Sequence, residues 1–142
     1  MALILSIETA TPVCSLALSD GPDVLGIRET SEKNSHSQVV TVFIDQLLRE
    51  CGLQPGDLDA VAVSRGPGSY TGLRIGVSTA KGLCFALDKP LIAVDTLEAM
   101  AYGMARMAEQ NTALPLLFAP MIDARRMEVY TAIFDAQGKN VR

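Results

Sequence analysis

The sequence predicts an α/β fold, a mixed sheet flanked by helices, and three observations carry that expectation. Three strand-like segments follow one another at the N-terminus with turn signals between them. Helical and strand patterns then alternate, the order that builds a layered α/β unit. The helical patterns also bring their own start or stop signals, which separate them from the strands on either side.

The first strand is expected over Leu3 to Ile7, the second over Val13 to Leu18, and the third over Val24 to Thr30 after the turn Asp20-Gly21-Pro22. Pro12 and the segment Glu8-Thr9-Ala10-Thr11 divide the first strand from the second. A helix follows from Ser35, read as its N-cap with Gln38 three residues on, to about Cys51, where Gly52 is the stop residue. At ~100° per residue, Val40, Phe43, Ile44, Leu47, Leu48 and Cys51 share the face that meets a sheet. Val39 and Val42 fall outside it, beside Gln46, and leave room for a second contact.

Ala60 to Ser64 reads as a strand, and the glycine-rich loop Arg65 to Gly72 leads into a second helix, Leu73 to Leu87. Leu91 to Val94 is the next strand, and Asp95 or Thr96 caps a third helix that runs to about Glu109. Leu116 to Ile122 and Glu128 to Phe134 read as strands joined at Ala124-Arg125-Arg126, and the last residues look like a hairpin turn. The second helix is apolar on two sides. Leu73, Gly76, Val77, Ala80, Cys84 and Leu87 form one side, and Ile75, Gly82, Leu83 and Ala86 the other, with Arg74, Ser78 and Lys81 as a narrow polar stripe. Such a helix needs two partners, the sheet and either a neighbouring helix or another subunit. Gly76 and Ala80 are expected to let a partner helix come close.

Composition narrows the functional classes. Hydrophobic residues make up 49% of the chain and charged ones 20%, which suits a globular protein and not a disordered one. The densest apolar run, Leu114 to Met121, is interrupted by Pro115 and Pro120, so no segment is expected to span a membrane. Cys14, Cys51 and Cys84 are odd in number, lack Cys-x-x-Cys spacing and lie in apolar segments. They read as reduced core thiols, which places the protein in the cytoplasm. A net charge of −4 with scattered basic residues disfavours direct binding of RNA by this chain alone.

Candidate chemistry is confined to two segments. Gly66, Gly68 and Gly72 surround Ser69, Tyr70 and Thr71 at a helix start, where backbone amides can converge on an anion. The other reading is a tight turn that needs positive φ at its glycines. Glu8-Thr9-Ala10-Thr11, after the first strand, offers a carboxylate and hydroxyls that either hold a phosphate or a metal-bound water or satisfy backbone groups at a turn. Glu8, Thr9, Gly68 and Ser69 are therefore the candidate cofactor-binding residues. His36 is the only histidine, so no two-histidine metal site and no convincing Ser-His-Asp triad can be assembled; no catalytic and no metal residue is assigned. Asp123 and Glu128 flank the arginine turn, where they could bind a cation but are expected to pair with Arg125 and Arg126.

Three segments in one order resemble the TsaB (YeaZ) family: Leu3 to Thr11, Arg65-Gly-Pro-Gly-Ser-Tyr-Thr-Gly-Leu-Arg-Ile-Gly76, and Ile122-Asp-Ala-Arg-Arg-Met-Glu-Val-Tyr130. The resemblance implies an actin-like/sugar-kinase fold, with a first lobe over about residues 1–110 and the start of a truncated second lobe over about 111–142. It also implies a non-catalytic part in attaching threonylcarbamoyl to adenosine 37 of ANN-decoding tRNAs. The implied partners are a TsaD-type catalytic paralogue, a TsaE-type ATPase and, in isolation, a second copy of the chain, with tRNA met only through the complex. Pairing through the first two helices puts Val39, Val42, Phe43, Gln46, Leu73, Gly76, Val77 and Ala80 at the interface. Glu8 stands where related actin-like proteins commonly carry Asp, a longer arm that argues against intact phosphotransfer. No cofactor is then required, although weak ATP or ADP binding stays open. The competing expectation is a nucleotide-binding enzyme of the actin/sugar-kinase class that uses Glu8, Thr9 and the glycine loop. A peptidase comes third.

Overall fold

A computed structural model describes residues 1–32, 36–108 and 115–142. Three strands, β1 (Leu3–Glu8), β2 (Cys14–Asp20) and β3 (Asp23–Thr30), form an antiparallel meander, and β4 (Ala60–Gly66) and β5 (Leu91–Asp95) add to β1 in parallel. The sheet order is β3-β2-β1-β4-β5. This is the mixed sheet of an actin-like lobe.

Alternation along the strands builds the main core. Leu5 and Ile7 of β1, Leu16 and Leu18 of β2, and Val61 and Val63 of β4 point to one face. Helix α1 (His36–Glu50) lays Val40, Ile44, Leu47 and Leu48 on that face, and α2 (Tyr70–Leu87) lays Ala80 and Cys84 there. Four of the six sequence-expected residues on the α1 stripe are fully buried, and Phe43 and Cys51 pack against the same core. Gly52 ends α1 as expected: its amide bonds to Arg49 O at 3.0 Å, and Leu53 N bonds to Leu48 O at 2.8 Å. Its φ of 68° is the left-handed conformation that this closure requires. The expected N-cap Ser35 lies outside the described residues, as does the expected end of the third helix at Glu109.

Helix α3 (Thr96–Ala108) packs on β4 and β5 and starts at the predicted cap. Asp95 Oδ1 accepts the amides of Leu97 and Glu98 at 3.0 and 3.1 Å. A second core of Leu97, Ala101, Ala105, Phe118, Ile122 and Phe134 joins α3 to the C-terminal segment.

In that segment the two expected strands are each split, giving β6 (Leu117–Phe118), β7 (Met121–Arg125), β8 (Glu128–Thr131) and β9 (Phe134–Asp135). The β6–β9 and β7–β8 pairs keep one register, so they are a single hairpin interrupted midway. Pro120 has no amide to give to the ladder. On the facing side of the same break, where Ile133 stands across from Ala119, Ile133 turns its backbone to residues 141–142 instead, donating to Arg142 O at 2.8 Å and accepting from Val141 N at 2.7 Å. Residues 139–142 thus return antiparallel to 133–135, the hairpin turn expected there.

Candidate functional site

The glycine-rich segment and the end of β1 meet, as the sequence suggested, but they close on each other. Thr9 is fully buried, and its Oγ1 donates to Gly72 O at 2.7 Å. Ser69 N bonds to Ala10 O at 2.7 Å. A Cβ at Gly68 would lie 2.6 Å from the Ala10 Cβ, and one at Gly72 or Gly76 would overlap Thr9 outright. Among Gly66, Gly68, Gly72 and Gly76, only Gly66 has a positive φ, 112°. Gly68, Gly72 and Gly76 are glycines for want of space, because α2 starts directly against the Thr9-Ala10 backbone.

The polar groups proposed for a phosphate are engaged within this clasp. Glu8 Oε1 accepts the Ala10 amide at 2.6 Å, and its Oε2 accepts the Ser64 hydroxyl. Ser69 is the N-cap of α2, its Oγ accepting Gly72 N at 3.3 Å, so the helix begins at Tyr70, three residues before the sequence reading placed it. Burial and, secondarily, the Glu8 carboxylate push the Cys14 thiol up from 9.0, which favours its protonated form. His36, at the start of α1, meets Thr11 O through Nε2 at 3.0 Å. Among the described residues, no three His, Cys, Asp or Glu side chains gather as a metal site, and no helix is long and apolar enough to cross a membrane. Among the described residues neither Asp123 nor Glu128 pairs with an arginine side chain; Asp123 Oδ1 accepts the Arg125 backbone amide at 2.7 Å and so shapes the hairpin turn.

A second site lies between α1 and α2, on the side of these helices away from the sheet. A groove of about 700 Å³ is walled by Thr41, Ile44, Asp45, Leu48 and Arg49 on α1 and by Ser78, Thr79, Gly82 and Leu83 on α2. Val42 (49% exposed) and Gln46 are exposed on α1. Phe85, at 93%, stands almost free at the end of α2, and Tyr70, at 75%, stands at its start under the Arg74 guanidinium. Val39, Phe43 and Val77 are partly buried and pack on the main core, while Leu73 is partly buried beside Gly66.

Two of the expected interface residues must be corrected. Gly76 is buried under Thr9, and Ala80 is 0% exposed in the main core. The small residues that leave α2 open to close approach are Ser78 and Gly82, one turn apart, and nothing lies within 4 Å of a Gly82 Cβ. The signal for them was present: Gly82 belonged to the second apolar side of α2. The groove itself needed the relative placement of two helices, which no single-helix pattern contains.

Comparison with known proteins places this arrangement. Residues 23–142 match the family model described as TsaD, tRNA N6-adenosine threonylcarbamoyltransferase. The tRNA threonylcarbamoyladenosine biosynthesis protein TsaB of Bacillus subtilis is 37% identical over 92% of this chain and 54% of its own length. A tRNA N6-adenosine threonylcarbamoyltransferase of Thermus thermophilus is 41% identical, but over only 51% of this chain and 23% of its own. The solved structure of YeaZ from Pseudomonas aeruginosa superposes with a TM-score of 0.86 at 33% identity, covering 99% of this chain and 63% of that one. The chain thus spans about half the length of the curated TsaB relative it matches. The likeness to TsaB and YeaZ runs along nearly the whole chain and the likeness to the transferase along half, so the chain belongs to the TsaD family, in its TsaB (YeaZ) branch.

Proposed function

We propose that the chain acts as a non-catalytic subunit in the formation of threonylcarbamoyladenosine on tRNA, docking a TsaD-type paralogue through the groove between α1 and α2. The observation that carries this reading is the groove itself. It has an apolar floor in Ile44, Leu48 and Leu83, small residues along one wall, and the exposed Val42 and Phe85 on the same two helices. Ile44 and Leu48 also serve the core, so the groove floor is held rigid. Aromatic and aliphatic anchors around a pre-formed trough are what a partner helix pair needs. The names of the relatives supply the pathway, and the closed clasp at Thr9 supports a role without phosphate chemistry. We read the chain up to about residue 110 as the first actin-like lobe and about 111–142, which holds the split hairpin, as the start of the second. In this role no cofactor is required, a TsaE-type ATPase joins the assembly later, and tRNA is met through the partner.

The test is light scattering on a sizing column, with the chain alone and mixed with a TsaD-type paralogue. A 1:1 complex that is lost in Gly82→Glu, with the fold retained, is the expected result. A mixture that elutes as two separate monomers removes the scaffold reading. A complex untouched by Gly82→Glu removes the groove as its site. A homodimer of the chain alone that breaks with the same substitution would place a second copy on the same surface.

A further inference from the structure

A separate pocket lies where β4, the start of α3 and the returning chain end meet. Its volume is about 230 Å³, below the ~300–1,000 Å³ of sites for drug-sized ligands, so its guest is small. Arg65 reaches it from a bulge. Ser64 pairs with Val94 and Gly66 with Asp95, which leaves Arg65 as the extra residue, exposed and aimed out of the ladder. Asp95 and Glu98 enter from the cap and first turn of α3, and Asn140 from the last turn. The floor is apolar, with Leu97 and Phe134 both buried.

The charges around this pocket are not spent on one another. Among the described residues, the Arg65 guanidinium makes no hydrogen bond or ion pair, although two carboxylates line the same cavity. The Glu98 side chain is likewise without a partner there, and Asp95 uses only Oδ1 for its cap. Asn140 Oδ1 accepts Arg142 N at 3.0 Å, which leaves its amide hydrogens to donate. A cation and two anions that share a small cavity and stay apart complement a guest that carries both signs.

We propose that this pocket binds a small zwitterion of the α-amino-acid class. Arg65 and Asn140 hold the carboxylate, Glu98 and the free oxygen of Asp95 hold the ammonium, and an apolar side chain rests on Leu97 and Phe134. This site is independent of the α1–α2 groove, and its fate does not bear on that reading.

The experiment is a two-dimensional amide NMR titration of the 142-residue chain with L-valine, isobutylamine and 3-methylbutanoate, which keep both charges, the ammonium alone and the carboxylate alone. Valine is expected to shift the Leu97, Glu98 and Asn140 amides saturably in the millimolar range, with each analogue weaker by about tenfold or more. Arg65→Gln is expected to weaken valine but not isobutylamine, and Glu98→Gln to weaken valine but not 3-methylbutanoate. Both positions are exposed, so unchanged core amides will report an intact fold. No saturable shift up to the solubility of valine, analogues that bind as well as valine, or variants that leave its affinity unchanged would each overturn the proposal.

Discussion

Thr9 and Gly72 are locked together from both sides: the Thr9 hydroxyl donates to Gly72 O at 2.7 Å, and the Thr9 carbonyl occupies the space a Gly72 side chain would need. The loop after β1 is thereby fixed to the first turn of α2. A glycine-rich loop at a helix N-terminus is a recurrent anion site, but here the same glycines bring two backbones into contact.

Alanine substitutions should therefore separate the glycines of α2 sharply. Gly72→Ala and Gly76→Ala each force a methyl group into Thr9 and should destabilise the fold by about 1–3 kcal/mol or more. Gly82→Ala meets open space on the same helix and should stabilise it by about 0.5–1 kcal/mol. Urea denaturation of the three variants measures this. Equal effects at Gly76 and Gly82 would refute the clasp.

The same burial separates two substitutions aimed at association. Ala80→Glu places an unpaired carboxylate in the main core and should lose the cooperative unfolding transition altogether. Gly82→Glu adds a charge to the groove wall and should leave the melting transition within a few degrees of the parent while it abolishes partner binding. Circular dichroism melts alongside light scattering distinguish the two. Lost binding in Ala80→Glu by itself would report unfolding.

Much of what depends on local rules is legible in the sequence, although the Ser69 cap that starts α2 at Tyr70 is not. Gly52 closing α1, Asp95 capping α3 and the existence of the strands around Leu3 to Ile7 and Val13 to Leu18 follow from backbone conformation, amide satisfaction and local strand pattern. What could not be read was which of two apolar sides of α2 meets the sheet. Gly76 and Ala80 have the spacing that lets a partner helix approach, and the same spacing lets β1 approach. The hairpin was misread for a similar reason. Pro120 marks a break in its own strand, but the matching break at Ile133 arises from bonds to Val141 and Arg142 across the next turn, which no pattern within the strand itself contains.

The cap at α3 gives a simple energetic test. Asp95→Ala removes the acceptor for two amides at once, at 3.0 and 3.1 Å, and should destabilise the fold by about 1–2 kcal/mol. Asp95→Asn keeps a cap oxygen and should recover most of that loss. Thermal melts of both variants decide it, and an Asn variant as weak as the Ala variant would point to lost charge instead of a lost cap.

Alkaline stability should carry the signature of Cys14. Burial first, and the Glu8 carboxylate second, raise its folded pKa above the ordinary 9.0, so the native state keeps the thiol proton after the unfolded state has begun to release it. Below about pH 9 the contribution is constant. Above that value the unfolded state binds fewer protons than the native state, and stability falls as pH rises until the folded thiol ionises as well. Cys14→Ala should lower stability at neutral pH through the lost packing of a fully buried side chain. It should also show a shallower loss of stability between pH 9 and 10.5 than the parent. Urea midpoints measured across that range compare the two slopes, with lysines and tyrosines common to both proteins and so cancelling in the difference. Parallel slopes would mean that the thiol ionises as easily in the fold as in the open chain.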